Sequence, residues 1–243
     1  CRRVESKIPE MDQFNLPQSL YDIVDFHKGL VLVTGPTGSG KSTTLAAIVN
    51  EINKTRTANI ITVEDPVEFI HQDIKSIVSH REVGKQTETF AAALKAALRE
   101  DPDIIYIGEM RDLETIQLAI TAAETGHLVL GTLHTSSAAK TVERIVDVFP
   151  ADQQEQARLQ VSTSLAGIMS QTLCKNKAGK RSLAYELLIN TPAIANLIRE
   201  RKVSQIYSQL QTGSNDGMNT LEQCLQELID KNKISIEEGI SKA

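Results

Sequence analysis

Residues 30–43 read Leu-Val-Leu-Val-Thr-Gly-Pro-Thr-Gly-Ser-Gly-Lys-Ser-Thr, and this stretch decides the fold. The four leading apolar residues suit a buried parallel strand, and the next elements, residues 35–42, match the pattern G-x-x-x-x-G-K-[ST]. From Thr43 to Asn53 apolar residues recur at helical spacing. A strand, a Gly-rich loop and a helix in this order predict a phosphate-binding loop rather than a Gly-rich turn that matches by chance.

The residue types in this loop suit the phosphates of a nucleotide. Glycine lets backbone N–H groups approach phosphate oxygens, and the helix N-terminus adds a partial positive charge. We expect Lys41 to reach the β- and γ-phosphates of ATP, and the Ser42 hydroxyl to ligate Mg²⁺. The predicted nucleotide-binding residues are Gly35, Pro36, Thr37, Gly38, Ser39, Gly40, Lys41, Ser42 and Thr43.

Length and composition narrow the class of protein. The chain has 243 residues, enough for one large domain, and its 26 basic and 31 acidic residues argue mildly against a nucleic-acid binder. Three widely spaced cysteines predict no disulfide framework or cysteine-based zinc site, and they fit reduced thiols in a cytosolic protein. Since no apolar run approaches about 18 residues, we expect no direct membrane insertion.

Acidic residues follow two further apolar segments. Residues 60–63 end in Glu64 before an Asp-Pro pair, and residues 104–107 are followed by Gly108 and Glu109. Acids at the carboxyl ends of parallel strands lie where ligands bind, although Glu64 also suits a solvated turn before proline. Gly108 stands where a Walker B strand usually carries Asp, so Glu109 is expected to orient the attacking water or to hold magnesium through its water shell.

Two histidines flank the apolar segment at residues 128–133, His127 before it and His134 after it. A lone histidine is more often a packing or surface residue than a catalytic one. At the expected C-terminal end of a strand, His134 is the better placed of the two to sense a γ-phosphate.

The remaining pattern predicts an α/β protein. Four apolar strands alternating with helices indicate a mainly parallel, RecA-like sheet. We expect an antiparallel excursion or hairpin over 70–86, and an Ala-rich helix that Thr87 caps. Later in the chain we expect one long amphipathic helix over 152–173, a tight basic turn over 175–181 and a last strand over 183–189. The C-terminal portion, 191–243, is predicted to be helical, with a frayed end over 234–243.

Four motifs together resemble the secretion ATPases that drive type II secretion and type IV pili. These are a Walker A loop at residues 35–43, an acidic box at 61–68, an atypical Walker B element with Gly-Glu at 98–112, and a His box at 125–135. The resemblance covers nearly the whole chain and corresponds to the C-terminal motor domain of the family's proteins. It implies an α/β RecA-like P-loop fold.

The resemblance also implies roles and partners. Glu64 and Glu109 would position and polarise the attacking water, while His127 and His134 would link the nucleotide state to domain position. The implied assembly is a homohexamer that hydrolyses ATP with Mg²⁺. Its implied partner is a pilus platform protein of the inner membrane, which would hold the motor at the cytoplasmic face of that membrane.

Within the family, two features favour the pilus retraction ATPases. The repeated C-x-x-C pair that assembly ATPases carry after the His box is missing, and residues 193–200 are close to a retraction-type pattern, except that Ala195 replaces Arg. Alternatives are an assembly or secretion ATPase without its zinc motif, a RecA-like nucleic-acid motor, and a nucleotide switch that does not turn over.

The resemblance predicts three parts: residues 1–8 as the end of an N-terminal PAS-like domain, 9–190 as the ATPase core, and 191–243 as a helical portion. In relatives the PAS-like domain packs on a neighbouring subunit and brings arginines to the shared nucleotide. Arginine supplied in trans can accelerate phosphoryl transfer about 10³- to 10⁵-fold. We therefore expect residues 1–243 alone to bind nucleotide but to hydrolyse it poorly.

Overall fold

Seven strands form one sheet in the computed structural model, which describes residues 8–14 and 16–243. They are β1 Gly29–Thr34, β2 Asn59–Glu64, β3 Ile77–Glu82, β4 Ile104–Ile107, β5 Leu128–Leu133, β6 Leu165–Lys175 and β7 Arg181–Ile189. The spatial order is β3-β2-β4-β5-β1-β6-β7, with every neighbouring pair parallel except β6 and β7. The predicted α/β fold with a mainly parallel sheet is confirmed.

Helices connect and cover these strands. The α-helices of the described chain are α1 Gln18–Asp22, α2 Lys41–Thr55, α3 Phe90–Ala97, α4 Leu113–Glu124, α5 Ala138–Asp147, α6 Gln154–Ser164, α7 Pro192–Arg199, α8 Ile206–Thr212, α9 Leu221–Asp230 and α10 Ile236–Lys242. Short 3-10 turns lie at Met11–Phe14, Ile23–Asp25, Val203–Gln205 and Gly213–Asp216. None of these described helices is both long and apolar enough to cross a membrane.

Both faces of the sheet are buried, which explains why β1 is apolar at successive positions. Leu30 and Leu32 pack into a core formed with α3 to α8. Val31 and Val33 point to the opposite core, formed with α1 and α2. Because strand side chains alternate between faces, a strand covered on both sides needs apolar residues throughout.

The predicted long helix over 152–173 is wrong. Helix α6 ends at Ser164, and Leu165 begins strand β6, which lies between β1 and β7. Strand β6 has buried residues on both faces, so consecutive positions such as Ile168 and Met169 are both apolar. Without an alternation of polar and apolar residues, the segment could not be distinguished from a continuation of the helix. A side chain at Gly167 would place its Cβ 3.0 Å from the Leu188 carbonyl oxygen.

Three other expectations are also corrected. The segment expected to be antiparallel contains β3, which pairs parallel to β2 at the sheet edge. Helix α3 is capped by Thr89 rather than Thr87, because the Thr89 hydroxyl accepts a hydrogen bond from the Ala92 amide. The C-terminal segment is not frayed: Ser235 caps α10, whose Gly239 packs against Ile229.

The basic turn is confirmed as the tip of a hairpin, because Lys175 and Arg181 pair across β6 and β7. Residues 1–8 were predicted to end a preceding domain, and all of them except Ile8 lie outside the described residues. The predicted division of the chain into three parts, with boundaries after residues 8 and 190, stays a prediction.

The loop between β2 and β3 is fastened to α2 by one buried side chain. The Asn53 amide donates to the Gln72 carbonyl at 2.7 Å, and its oxygen accepts from the Ile74 and Ser76 amides at 3.1 and 3.2 Å. Asn53 is fully buried in the last turns of α2. This side chain therefore holds the path of the loop that leads to the edge strand.

Replacing Asn53 by alanine should lower the free energy of unfolding by about 2 to 3 kcal/mol, because buried backbone groups of the loop lose their partners. Urea denaturation measures this change. Glu51→Ala on the same helix is the matched control and should change stability by less than about 0.5 kcal/mol. Equal stabilities for Asn53→Ala and the control would contradict the assignment.

Candidate nucleotide-binding site

The carboxyl ends of β1, β2, β4 and β5 meet at one edge of the sheet, where parallel α/β sheets bind ligands. A cleft of about 1340 Å³ opens there. Residues 37–43 of the predicted loop line it together with Glu64, Glu109 and His134. The motifs that lie far apart in the sequence are therefore brought together as predicted, with the exception of His127.

The Walker A loop turns sharply between β1 and α2. Gly35 has a φ of +140°, and a Cβ there would lie 2.2 Å from the Gln171 carbonyl oxygen, so only glycine fits. Gly40 precedes the first residue of α2 with a φ of +90°. The helix N-terminus is thus directed into the cleft, where its partial positive charge favours phosphate.

Gln171 on β6 is a site residue that sequence reasoning missed. Its amide donates to the Ser39 carbonyl at 2.7 Å, and its oxygen accepts from the Thr44 hydroxyl at 2.9 Å. The side chain thereby joins the loop to the first turn of α2. It was missed because residues 152–173 read as one helix, and Gly167, unfavourable inside a helix, was the signal of a strand.

Lys41 begins α2 and is 9% exposed. Its ammonium donates to the carbonyls of Gly35 at 2.9 Å and Pro36 at 3.2 Å, and lies 3.5 Å from Nδ1 of His134. Burial lowers the pKa of Lys41, while the charges of Glu109 and Glu68 oppose that shift. The lysine is therefore held at the loop, among groups of the opposite charge.

Glu109 follows β4 and forms the second charged group of the cleft. One carboxylate oxygen lies 3.0 Å from Nε2 of His134, and the other accepts from Arg111 at 2.5 Å. Burial raises the pKa of Glu109, but the hydrogen bond and charge of Arg111, together with His134 and Lys41, lower it by more. The net pKa of Glu109 therefore lies below its usual value. Glu109 is consequently ionised at neutral pH.

The Gly108 position explains why this strand ends in Gly-Glu rather than Asp. A Cβ at Gly108 would lie 3.2 Å from both the Glu64 Cα and the Val63 carbonyl oxygen. The Gly108 amide also donates to that carbonyl at 2.7 Å, so the two backbones are in close contact. A side chain would crowd β2, and the carboxylate comes from the next residue.

Glu64 ends β2 and is buried, with 4% of its surface exposed. One of its oxygens accepts from the Glu68 amide at 3.4 Å. On the neighbouring strand, the buried Tyr106 lies beside the side chain of Ser42, a proximity that was not foreseen from the sequence. Burial raises the pKa of this tyrosine well above its usual value, so its phenol remains neutral.

His127 lies at the opposite end of β5 from His134. The six residues of β5 separate the two, so seven steps of nearly extended chain span about 23 Å. The His127 ring contacts the Ala122 carbonyl at 2.9 Å and the Thr125 hydroxyl at 3.3 Å, at the end of α4. It is therefore not part of the cleft in this chain, and its predicted coupling role stays a prediction.

The residues at the cleft fit a magnesium ion that is held mainly by its substrate. The Ser42 hydroxyl and the Glu109 and Glu64 carboxylates supply hard oxygen ligands at one edge. Within residues 8–14 and 16–243, no cluster of three or more acidic, histidine or cysteine residues forms a dedicated metal cage. Magnesium commonly uses one or two protein oxygens, several waters and the phosphates of the substrate.

Comparisons with known proteins agree with this arrangement. Residues 10–238 match the family model of type II/IV secretion system proteins. The type IV pilus retraction ATPase PilT of Pseudomonas aeruginosa is 55% identical over 242 residues, and a twitching motility protein of Neisseria gonorrhoeae is 53% identical over 243. Both alignments cover 100% of this chain, and 70% and 65% of those proteins.

A solved structure of the pilus retraction motor PilT with bound ADP superposes with a TM-score of 0.94 and 51% identity. The match covers 100% of this chain and 69% of that chain. The resemblance inferred from the four motifs is confirmed, as is the assignment to P-loop ATPases. The chain belongs to the type II/IV secretion system protein family and is an ATPase of that family.

Proposed function

We propose that this chain is the motor part of an ATPase that hydrolyses ATP with Mg²⁺ and powers retraction of a type IV pilus. The observation that supports it best is the contact from Lys41 through His134 to Glu109. If Nε2 of His134 donates to Glu109, its Nδ1 can accept from Lys41, so a single tautomer of His134 satisfies both polar contacts. One histidine thereby connects the Walker A lysine with the Walker B carboxylate.

The proposed chemistry assigns each group a task. Lys41 and the amides of residues 35–43 bind the β- and γ-phosphates, and the ionised Glu109 polarises the attacking water. Glu64 helps to position that water from the end of β2. Because a γ-phosphate attracts Lys41 away from His134, the contact between His134 and Glu109 responds to the nucleotide state.

Magnesium would be held by the Ser42 hydroxyl and, through water, by Glu109. When bound, it neutralises developing charge on the phosphate oxygens. The chain's own part is to present Ser42 from the first turn of α2, beside the neutral phenol of Tyr106.

The assembly and partners are further parts of the proposal and rest on the resemblance to retraction ATPases. We place the motor in a homohexamer, at the cytoplasmic face of the inner membrane, in contact with a pilus platform protein. The nucleotide-binding cleft would then lie near a neighbouring subunit that contributes to turnover. His127, which lies away from the cleft in its own chain, keeps its proposed role in coupling nucleotide state to domain position.

Hydrolysis and native mass test the whole proposal. The natural full-length protein should form a hexamer in ATP and release phosphate, while residues 1–243 alone should bind ATP with little turnover. Bound ATP without phosphate release by the full-length protein would favour a nucleotide switch instead. Deleting the gene separates the motor types, since cells without retraction stay piliated but do not twitch, whereas cells without assembly lack pili.

Lys41→Ala should weaken ATP binding about 10- to 100-fold, because the phosphates lose their charged hydrogen-bond donor. Isothermal titration with ATP and Mg²⁺ measures the change. Lys54→Ala removes the same charge from the last turn of the same helix and should leave the affinity unchanged. Equal affinities for Lys41→Ala and the wild type would remove the phosphate-binding role.

Glu109→Gln should lower kcat for ATP hydrolysis about 100- to 10,000-fold while ATP binding persists, because the amide cannot polarise water as a carboxylate does. Phosphate release by the full-length protein measures kcat. Glu114→Gln is the control, since that exposed carboxylate pairs with Lys95 on the surface. A Glu109→Gln enzyme with normal kcat would show that another group activates the water.

A further inference from the structure

Two stacked histidines lie behind Glu64, outside the four motifs that the sequence singled out. The rings of His71 and His80 are 5.7 Å apart between centroids, with planes 18° from parallel. His80 belongs to β3, and His71 to the loop that Asn53 fastens to α2. His71 is buried and His80 is half-buried, so this pair lies under the surface beside the cleft.

The hydrogen bonds of His80 determine which ring nitrogen carries the proton. Its Nε2 lies 3.1 Å from the backbone N–H of His71, which can only donate, so Nε2 is the acceptor. A neutral ring then carries its proton on Nδ1. That proton is donated to the Thr62 hydroxyl at 2.9 Å. A carboxylate oxygen of Glu64 lies 3.7 Å from the same nitrogen, a polar contact longer than a hydrogen bond.

Strand register places these groups on one face of the sheet. His80 is directly opposite Thr62 in the parallel pairing of β3 and β2, and Thr62 and Glu64 are two residues apart on the same face. Both Thr62 and Glu64 are buried, so the Nδ1–H of His80 faces them away from bulk solvent. The Nδ1–H of His80 therefore lies behind the Glu64 carboxylate and not on an exposed surface.

His71, the stacked partner of His80, is a neutral ring. Burial, and then the neighbouring His80, lower the pKa of His71 to about 4, so His71 is neutral at pH 7. A neutral ring against His80 leaves the backbone N–H of His71 as the group that fixes the tautomer.

We propose that His80 is a positioning residue for Glu64: its Nδ1–H, held in place by the His71 backbone, orients the carboxylate toward the nucleotide. The inference rests on the proposed ATPase role of Glu64 and deepens it. The polar partners of Nδ1 are Thr62 and Glu64, so His80 acts through these two residues.

Three single variants test the role in the full-length protein. His80→Leu should lower kcat about 10- to 100-fold, as expected for a misplaced catalytic group, with KM for ATP changed less than about twofold. His80→Gln should recover most of kcat, because an amide supplies one acceptor for His71 and one donor toward Thr62 and Glu64. Ser79→Ala, on the opposite face of the same strand, is the matched control and should keep wild-type kcat.

A double variant separates positioning from general damage to the fold. In a Glu64→Gln background, His80→Leu should lower kcat little further, since the group it acts through is already altered. Wild-type kcat in His80→Leu, no recovery in His80→Gln, or the same fold-loss with and without Glu64→Gln would each overturn the proposal.

An NMR measurement on residues 1–243 tests the geometry without any turnover. The ¹⁵N shifts of the His80 ring should show a protonated Nδ1 and an unprotonated Nε2, and the opposite pattern would overturn the proposal. If the wild-type protein hydrolyses no ATP, the proposed function fails and the kinetic role of His80 fails with it. The ring measurement still reports separately whether His80 has the stated hydrogen bonds.

Discussion

The close contact between the Walker A loop and β6 is the constraint on which the nucleotide site depends. Gly35 has no room for a side chain because the Gln171 carbonyl occupies that space, and the Gln171 side chain joins Ser39 to Thr44. These contacts fix a loop whose own backbone carries few repetitive hydrogen bonds. Since β6 is the direct neighbour of β1, the amides of the Walker A loop are held in position by two adjacent strands of the sheet.

Charge within the cleft is stabilised by pairing rather than by exposure. Lys41 and Glu64 are almost completely buried, and an isolated buried charge is costly. Lys41 is solvated by two loop carbonyls and lies near His134, while Glu109 has Arg111 and His134 as partners. His134 lies between the cation of Lys41 and the anion of Glu109, so charges of both signs face the cleft that would receive a triphosphate and its metal.

Most of this site could be predicted from the sequence because its polar motif residues directly follow short apolar segments that form buried parallel strands. The segments at residues 104–107 and 128–133 were both placed at the bounds that the structure shows for β4 and β5. Residues 165–175 failed because a strand buried on both faces has no two-residue alternation to distinguish it from a helix. Gln171 and His80 were missed with them, since their roles depend on which strands become neighbours.

Helix α2 connects the two sides of the cleft. Its first residue is Lys41 of the Walker A loop, and in its last turns Asn53 holds the loop that carries His71. The backbone of His71 in turn fixes the ring of His80 beside Glu64. A 15-residue helix is rigid over about 22 Å, so the lysine proposed to bind phosphate and the backing of the carboxylate proposed to position water are set by one element. Any displacement of the helix start would therefore also move the loop behind Glu64, without a separate connection between them.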